Sequence, residues 1–463
     1  MKQSKSFYKN LMTVLLALAF GMLALVFGVL FLGCGNGASK TGSGKPEERY
    51  IAFTKADAFN LRQVITADSS SSRTIMWQSE PENRDAFVEY RVIGKAEVNS
   101  AAPNNKPVQH NKNDAAAENS VSTQKERLNN KFTDNGKTTY VHTVTLQNLQ
   151  PGPEYEYRLG HDNRRSQWFR LNTAQIHNSY KALIFPDSQS AKYKAWEDVA
   201  MPAWQRNRDA QFFITMGDLV DNGEHAYQWN EWFTRIQPMI TRIPAAPVMG
   251  NHETYTMDWK VRMPQAYLHY FQLPEGTPAP YKNQFYSFDY GDVHYVVLNT
   301  QMREMEEFLP NLLQDQLAWF KADMEKTRKK WKAVLMHKDV LQYAFLTRKT
   351  NREEGFSEIG RIFMPLFERY KVDVVLTAHL HTYRNRGHIF EFKRDTKGPL
   401  YILTGVAGDV RYPSLWKRHS LDVAVAPQPE TNNYIVMEAS TDKMRFSCYL
   451  PDGTKIDEAE LEK

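Results

Sequence analysis

Cysteine is almost absent from this chain of 463 residues: only Cys34 and Cys448 carry a thiol. Two cysteines give no disulfide framework. Cys448 sits in the strand-like run Met444-Arg445-Phe446-Ser447-Cys448-Tyr449-Leu450 and reads as a small buried hydrophobe, so thiol chemistry is set aside. A large charge excess is missing too. The formal net charge is +5, small for this length, and makes no case for nucleic-acid binding, which needs basic residues gathered on one face. What is present suits a globular chain: 42% hydrophobic, 24% charged and 13% aromatic residues, with length enough for two or three cored domains.

Acidic residues are also missing from the first ten positions, which carry Lys2, Lys5 and Lys9. Residues 11–32 are almost purely apolar. A positive start followed by an apolar run is an export signal whose basic end stays in the cytoplasm. The run is long enough to span a bilayer as a helix, which takes about 20 residues. Its end, Phe31-Leu32-Gly33-Cys34, resembles the lipobox of bacterial lipoproteins, in which the cysteine after a small residue is lipidated; this implies a lipid on Cys34. Phe31 departs from the aliphatic residue usual there, and the alternative is an uncleaved membrane anchor over residues 1–34. Both readings place the remainder outside the cytoplasm, in the periplasm or at the cell surface. A flexible Gly/Ser/Lys tether over residues 35–49 joins it to the membrane.

Residues 50–175 read as short strands at 73–78, 86–92, 140–146, 155–159 and 167–171, several alternating apolar and polar residues, with turn signals between them. That is the pattern of a small antiparallel sandwich. A polar insert over residues 94–136 has too little apolar content for a core and is expected to be a long disordered loop. The piece Leu149-Gln150-Pro151-Gly152-Pro153-Glu154-Tyr155-Glu156-Tyr157-Arg158 resembles a segment of fibronectin type III-like domains, one also found in the N-terminal domain of purple acid phosphatases.

From residue 176 to 450 the pattern becomes strands alternating with helices, a layered α/β domain with mixed sheets. Strands are expected at 181–185, 211–216, 244–249, 331–336 and 372–377, and a hairpin at 286–299 turning on Gly291-Asp292. Helices are expected at 194–207, 224–240, 312–330 and 356–370, and further strands at 400–404, 434–438 and 443–450. The acidic tail, residues 451–463, is expected to fray.

Each buried run ends in side chains that hold metals. Phe185-Pro186 leads to Asp187, Met216-Gly217 to Asp218 and Asp221, Val248-Met249-Gly250 to Asn251-His252-Glu253, Met336 to His337, and Thr377-Ala378 to His379-Leu380-His381. In open α/β sheets that edge is where ligands bind. A lone Asp or His at a strand end is usually a cap or a core residue, but five such pieces in order converge on one edge. Oxygen and imidazole donors together suit Zn, Fe or Mn.

This order of motifs resembles the calcineurin-like metallophosphoesterase superfamily and, with the β-sandwich in front, its purple acid phosphatase branch and bacterial relatives. The run Gln284-Phe285-Tyr286-Ser287-Phe288-Asp289-Tyr290-Gly291-Asp292-Val293-His294 resembles that branch as well. The resemblance implies a four-layer α/β sandwich with mixed sheets behind a small all-β domain. It implies two metal ions, one on Asp187, Asp218 and His381 and one on Asp218, Asn251, His337 and His379, with Asp218 shared. It also implies that His252 assists the leaving oxygen as a general acid; the plainer alternative is that His252 only orients Asn251. The activity implied is hydrolysis of a small phosphate ester by a hydroxide made between the metals.

Several positions depart from the branch. Gln189 stands where many relatives carry His, and Asp221 where purple enzymes carry the metal-bound Tyr that colours them. His337 is followed by Lys338-Asp339-Val340, without the further His of that branch. After His381 comes Thr382-Tyr383-Arg384-Asn385, so the usual acid–base pair after the tyrosine is missing. Arg384 and Arg386 are candidates for phosphate binding, with ordinary surface positions as the plainer expectation. A phosphomonoesterase is the leading reading. The alternatives are a phosphodiesterase or nucleotidase and, from another class, a surface-binding protein whose catalytic domain has decayed.

Overall fold

The computed structural model describes residues 50–83, 85–95, 97–102, 126–128, 133–134, 138–174, 179–428 and 430–463. The expected membrane segment, Cys34 and the tether lie outside the described residues, as does most of the polar insert. Among the described residues no helix is long and apolar enough to cross a membrane.

Two large sheets build the catalytic part. In the first, Tyr180–Phe185, Phe212–Thr215 and Ala245–Pro247 run parallel, in register from Phe185 to Thr215 to Pro247. In the second, Val293–Leu298, Trp331–Met336, Val374–Thr377 and Leu400–Thr404 run parallel in that order. Parallel strands are buried on both faces, which explains their continuous apolar runs. The alternation inside one strand shows the layers. Ala333 and Leu335 join the core that also holds Ile184, Phe213 and Ile214 of the first sheet. Val334 and Met336 point the other way, into a core shared with Phe320 of helix Leu312–Lys326 and with Phe363 and Phe367 of helix Glu358–Arg369. On the far side, Trp196 of helix Lys194–Arg206 meets Phe185 edge-on at 5.1 Å. Helix, sheet, sheet and helix therefore stack as four layers.

The β-domain in front is not a separate bead. Its strands Phe59–Val64, Arg73–Ser79, Thr139–Leu146 and Glu126–Leu128 continue the first catalytic sheet, where Val64 pairs in parallel with Ala245. Strand Arg73–Ser79 is buried on both faces for this reason. Ile75 and Trp77 fill the sandwich core, against Val88, Tyr157 and Leu159 of the opposing sheet. Met76, between them, enters the catalytic core.

Four expectations need correction. The described parts of the insert include two strands: Asn99–Ala101 pairs with Phe87–Val92, and Glu126–Leu128 with Thr139–Leu146. The helix expected at 224–240 breaks at Ile236 into Ala226–Arg235 and Gln237–Ile240, with Pro238 opening the second piece. The acidic tail does not fray. Gly453, at φ +96°, turns the chain, and Lys455–Glu462 pairs antiparallel with Lys443–Tyr449, Leu461 reaching the core. Arg384 and Arg386 are not on the surface. They lie in the unforeseen strand Tyr383–Phe390, where Arg384 donates to Asp422 Oδ2 at 2.6 Å and Arg386 to Asp339 Oδ2 at 2.5 Å, all four side chains buried. Paired in this way, neither arginine reaches a phosphate.

Candidate active site

All six expected ligands lie just past the carboxyl ends of parallel strands, and the fold brings them together. The chain bends sharply to do this. Asp218, His379 and His381 hold positive φ angles of 48°, 75° and 53°. Such backbone costs roughly 1–3 kcal/mol per residue and persists where the surroundings enforce it. The glycines of the motifs are equally constrained: a Cβ on Gly217 would lie 2.5 Å from His337 Nδ1, and one on Gly250 would lie 2.1 Å from Asp218 Oδ1. Glu253 braces the loop from below. Its buried carboxylate accepts the backbone N–H groups of Gly250 at 2.7 Å, Leu219 at 2.8 Å, Asp218 at 3.0 Å and Val220 at 3.4 Å.

The donor atoms form two sets that share Asp218. One is Asp218, His337 and His379; the other is Asp187, Asp218 and His381. Asn251 joins the first set, its Oδ1 standing 3.1 Å from His337 Nε2. Hydrogen bonding leaves these atoms facing one another as acceptors. His337 Nδ1–H donates to the Met216 carbonyl at 2.9 Å, so Nε2 presents a lone pair. That lone pair stands 3.1 Å from Asp218 Oδ2 and 3.2 Å from His379 Nδ1. Likewise His381 Nδ1–H donates to the Val410 carbonyl at 2.7 Å, and Nε2 faces Asp187 Oδ2 at 3.2 Å. Asp218 Oδ2 is buried with no hydrogen-bond donor. Burying acceptors against acceptors is costly unless a positive charge lies between them. The residues therefore fit two cations, with Asp218 common to both.

Where no cation lies between these acceptors, a proton is drawn into the same space. Burial would push the Asp218 carboxyl up, yet His337, His252 and His379 hold it far below the usual range. Burial would push His337 down, yet Asp218 and Asp187 raise it to about 9. His379 is driven down by burial and by the neighbouring His337. Burial and Asp218 push Glu253 up to about 7.

His252 belongs to neither set. Its backbone N–H donates to Asp218 Oδ1 at 2.9 Å and its Nδ1–H to the Asp221 carbonyl at 2.7 Å. Nε2 lies 3.5 Å from the side-chain nitrogen of Gln189. Tyr255 and Trp259 meet the ring edge-on. Asp221 also falls outside both donor sets; its carboxylate stands 3.5 Å from His252 Nδ1, so it serves the histidine. Beside the site opens a cleft of about 530 Å³ that His252, His379 and His381 line together with Tyr412 and Trp416. Tyr412 rests on His381, ring centroids 4.9 Å apart. Sequence reasoning missed this wall. Its signal was Thr404-Gly405-Val406-Ala407-Gly408-Asp409, one more apolar run ending in Gly and Asp.

Comparison with known proteins decides the family. The calcineurin-like phosphoesterase profile matches residues 176–383, and the purple acid phosphatase N-terminal domain profile matches residues 59–173. The chain carries a calcineurin-like metallophosphoesterase domain behind a purple acid phosphatase N-terminal domain. Acid phosphatase type 7 of Mus musculus is 26% identical to this metallophosphoesterase over 306 residues, 60% of this chain and 67% of that one. Purple acid phosphatase 21 of Arabidopsis thaliana is 26% identical over 289 residues, 60% of each. The match thus spans about two thirds or less of these relatives' length. Among solved structures, the purple acid phosphatase PPD1 from yellow lupin superposes with a TM-score of 0.67 at 16% identity, covering 88% of this chain and 74% of that one. PhoD superposes at 0.58 and 12% identity, over 88% and 93%. Both show the fold. In this metallophosphoesterase the donor sets stand where that fold gathers its strand ends.

Proposed function

We propose that this metallophosphoesterase hydrolyses phosphate monoesters, and that it does so outside the cytoplasm, held to a membrane by its N-terminus. The catalytic part rests on one observation: two acceptor sets share Asp218, and His252 stands beside them without joining them. Asp187, Asp218 and His381 would hold one ion, and Asp218, Asn251, His337 and His379 the other. Bound there, Zn, Fe or Mn ions supply a water of lowered pKa and neutralise the phosphate oxygens.

The chain's own residues position and protonate. The Met216 and Val410 carbonyls fix which nitrogen of His337 and His381 faces the centre. The Asp221 carbonyl fixes His252 in the same way, leaving Nε2 as the one ring atom free to carry a proton into the cleft. Protonated, Nε2–H is placed to be given to the leaving oxygen as the ester bond breaks. The relatives named above are acid phosphatases, which supports a monoester as substrate. Phosphate release from matched mono- and diesters by the metal-loaded protein tests this; faster diester cleavage would overturn it.

Membrane attachment is supported by Lys2, Lys5 and Lys9, the apolar run over residues 11–32, and Gly33-Cys34. Recovery of the full-length protein in the membrane fraction, with the Cys34→Ser variant losing its lipid, is the expected result. Recovery from the cytosol would refute it.

A further inference from the structure

The cleft beside the metal centre carries four cationic side chains, and they are not alike. Lys338 is neutralised by Glu304 at 2.7 Å and Arg303 by Glu358 at 2.8 Å. Arg348 and Arg352 pair with no carboxylate among the described residues. Instead both guanidiniums lie over the Phe345 ring, at 4.9 and 5.4 Å from its centroid, and Arg352 lies 5.4 Å from the Trp416 ring as well. Phe345 and Trp416 are themselves stacked at 5.3 Å and joined by a β-bridge. Two like charges are thus held over one ring, where burial and Arg348 work against the charge on Arg352 and Asp339, itself paired with Arg386, favours it. Stacking fixes the planes of the guanidiniums but leaves their N–H edges unspent. Next to them the cleft is apolar, lined by Leu341, Ile359, Ile362, Leu415 and Met302. Asp218, Asn251 and His252 line another part of the same cleft.

We propose that this cleft selects phosphate esters whose leaving group has an apolar body and a second anionic group, the apolar body lying on the Leu341–Ile359–Leu415 wall and the anion between Arg348 and Arg352. This rests on the phosphoesterase reading above. Charge-assisted hydrogen bonds from such a pair are strong enough for about a tenfold or greater preference.

The metal-loaded enzyme is assayed on naphthyl phosphate and on its ring-sulfonated analogue, which differ by one added anion. The wild-type ratio of kcat/KM, sulfonated over parent, is expected to be about ten or more, and to fall about tenfold in the Arg348→Gln/Arg352→Gln variant. A ratio near one in the wild type, or a ratio unchanged in the variant, overturns the proposal; the latter would assign the arginines to the reacting phosphate. Calorimetry with sulfonated against plain naphthol reads the same anion without turnover, and the gain in affinity should vanish in the variant. If neither ester is cleaved while this binding gain holds, the phosphoesterase reading fails and the anion site stands. If both esters are cleaved without preference, the anion site fails and the reading stands.

Discussion

His337, in the active site, spends its Nδ1–H on the Met216 carbonyl and turns a bare Nε2 toward Asp218. His294, near the start of strand Val293–Leu298, donates from both nitrogens, to Asp289 Oδ1 at 2.7 Å and Asp323 Oδ2 at 2.9 Å. The residue types are the same, and so is the burial of the histidine. The chemistry is opposite. The His294 cluster supplies its own cation: burial alone would lower its pKa, but the two aspartates raise it to about 9. His337 is raised to about 9 as well, but one proton there cannot serve the crowd of acceptors made by Asp187, Asp218, Asn251, His379 and His381, so this cluster needs cations from outside. An acid–histidine cluster is therefore not by itself a metal site; the partner of the second ring nitrogen decides.

The largest test of that contrast is Asp218→Ala, which removes the carboxylate common to both sets. Metal content is expected to drop below two ions per chain and kcat/KM to fall about a thousandfold or more, roughly 4 kcal/mol. Retention of both ions would break the contrast at its centre. Next is His252→Ala. Loss of its proton should cost about a hundredfold or more on alkyl phosphates, and less on nitrophenyl phosphate, whose leaving group needs no proton. Metal analysis should still find two ions, and their loss would make His252 a ligand.

Glu253→Gln comes third. Its amide would point N–H groups at the backbone N–H groups that the carboxylate now accepts, an expected destabilisation of about 2–3 kcal/mol visible as a lower melting temperature. The smallest effect belongs to His294. Its folded pKa is raised above the unfolded value, so its contribution is complete below about pH 6.5 and is lost as pH rises through about 9. Asp289 is 42% exposed, which screens the pair, so about 1–2 kcal/mol is expected. Melting temperature should fall between about pH 7 and 10, and His294→Gln should flatten that slope without changing metal content.

Much of the catalytic fold was legible because its signals are local. Strand Trp331–Met336 and hairpin Tyr286–Tyr290 with Val293–Leu298 follow from short apolar runs and a Gly-Asp turn. The tail and the strand Tyr383–Phe390 were misread because polar side chains dominate both. Arg384 and Arg386 are tolerated inside only because Asp422 and Asp339 meet them there, 38 and 47 residues away in the chain. The paired sheets were visible; the continuity of the front sheet with the catalytic one was not, since it hangs on Val64 meeting Ala245.

Sequence alone determined which side chains leave the strand ends. An apolar run broken by Gly, followed by Asp, Asn or His, is a local pattern, and Asp187, Asp218, Asn251, His337, His379 and His381 all follow from it. Only tertiary structure decided how each of them faces the centre. The carbonyl that sets the lone pair of His337 comes from Met216, 121 residues earlier, and the one that sets His381 comes from Val410, 29 residues later. Hydrogen bonds of that range exist only after the two sheets have packed, and with them comes the arrangement of acceptors that calls for two metal ions.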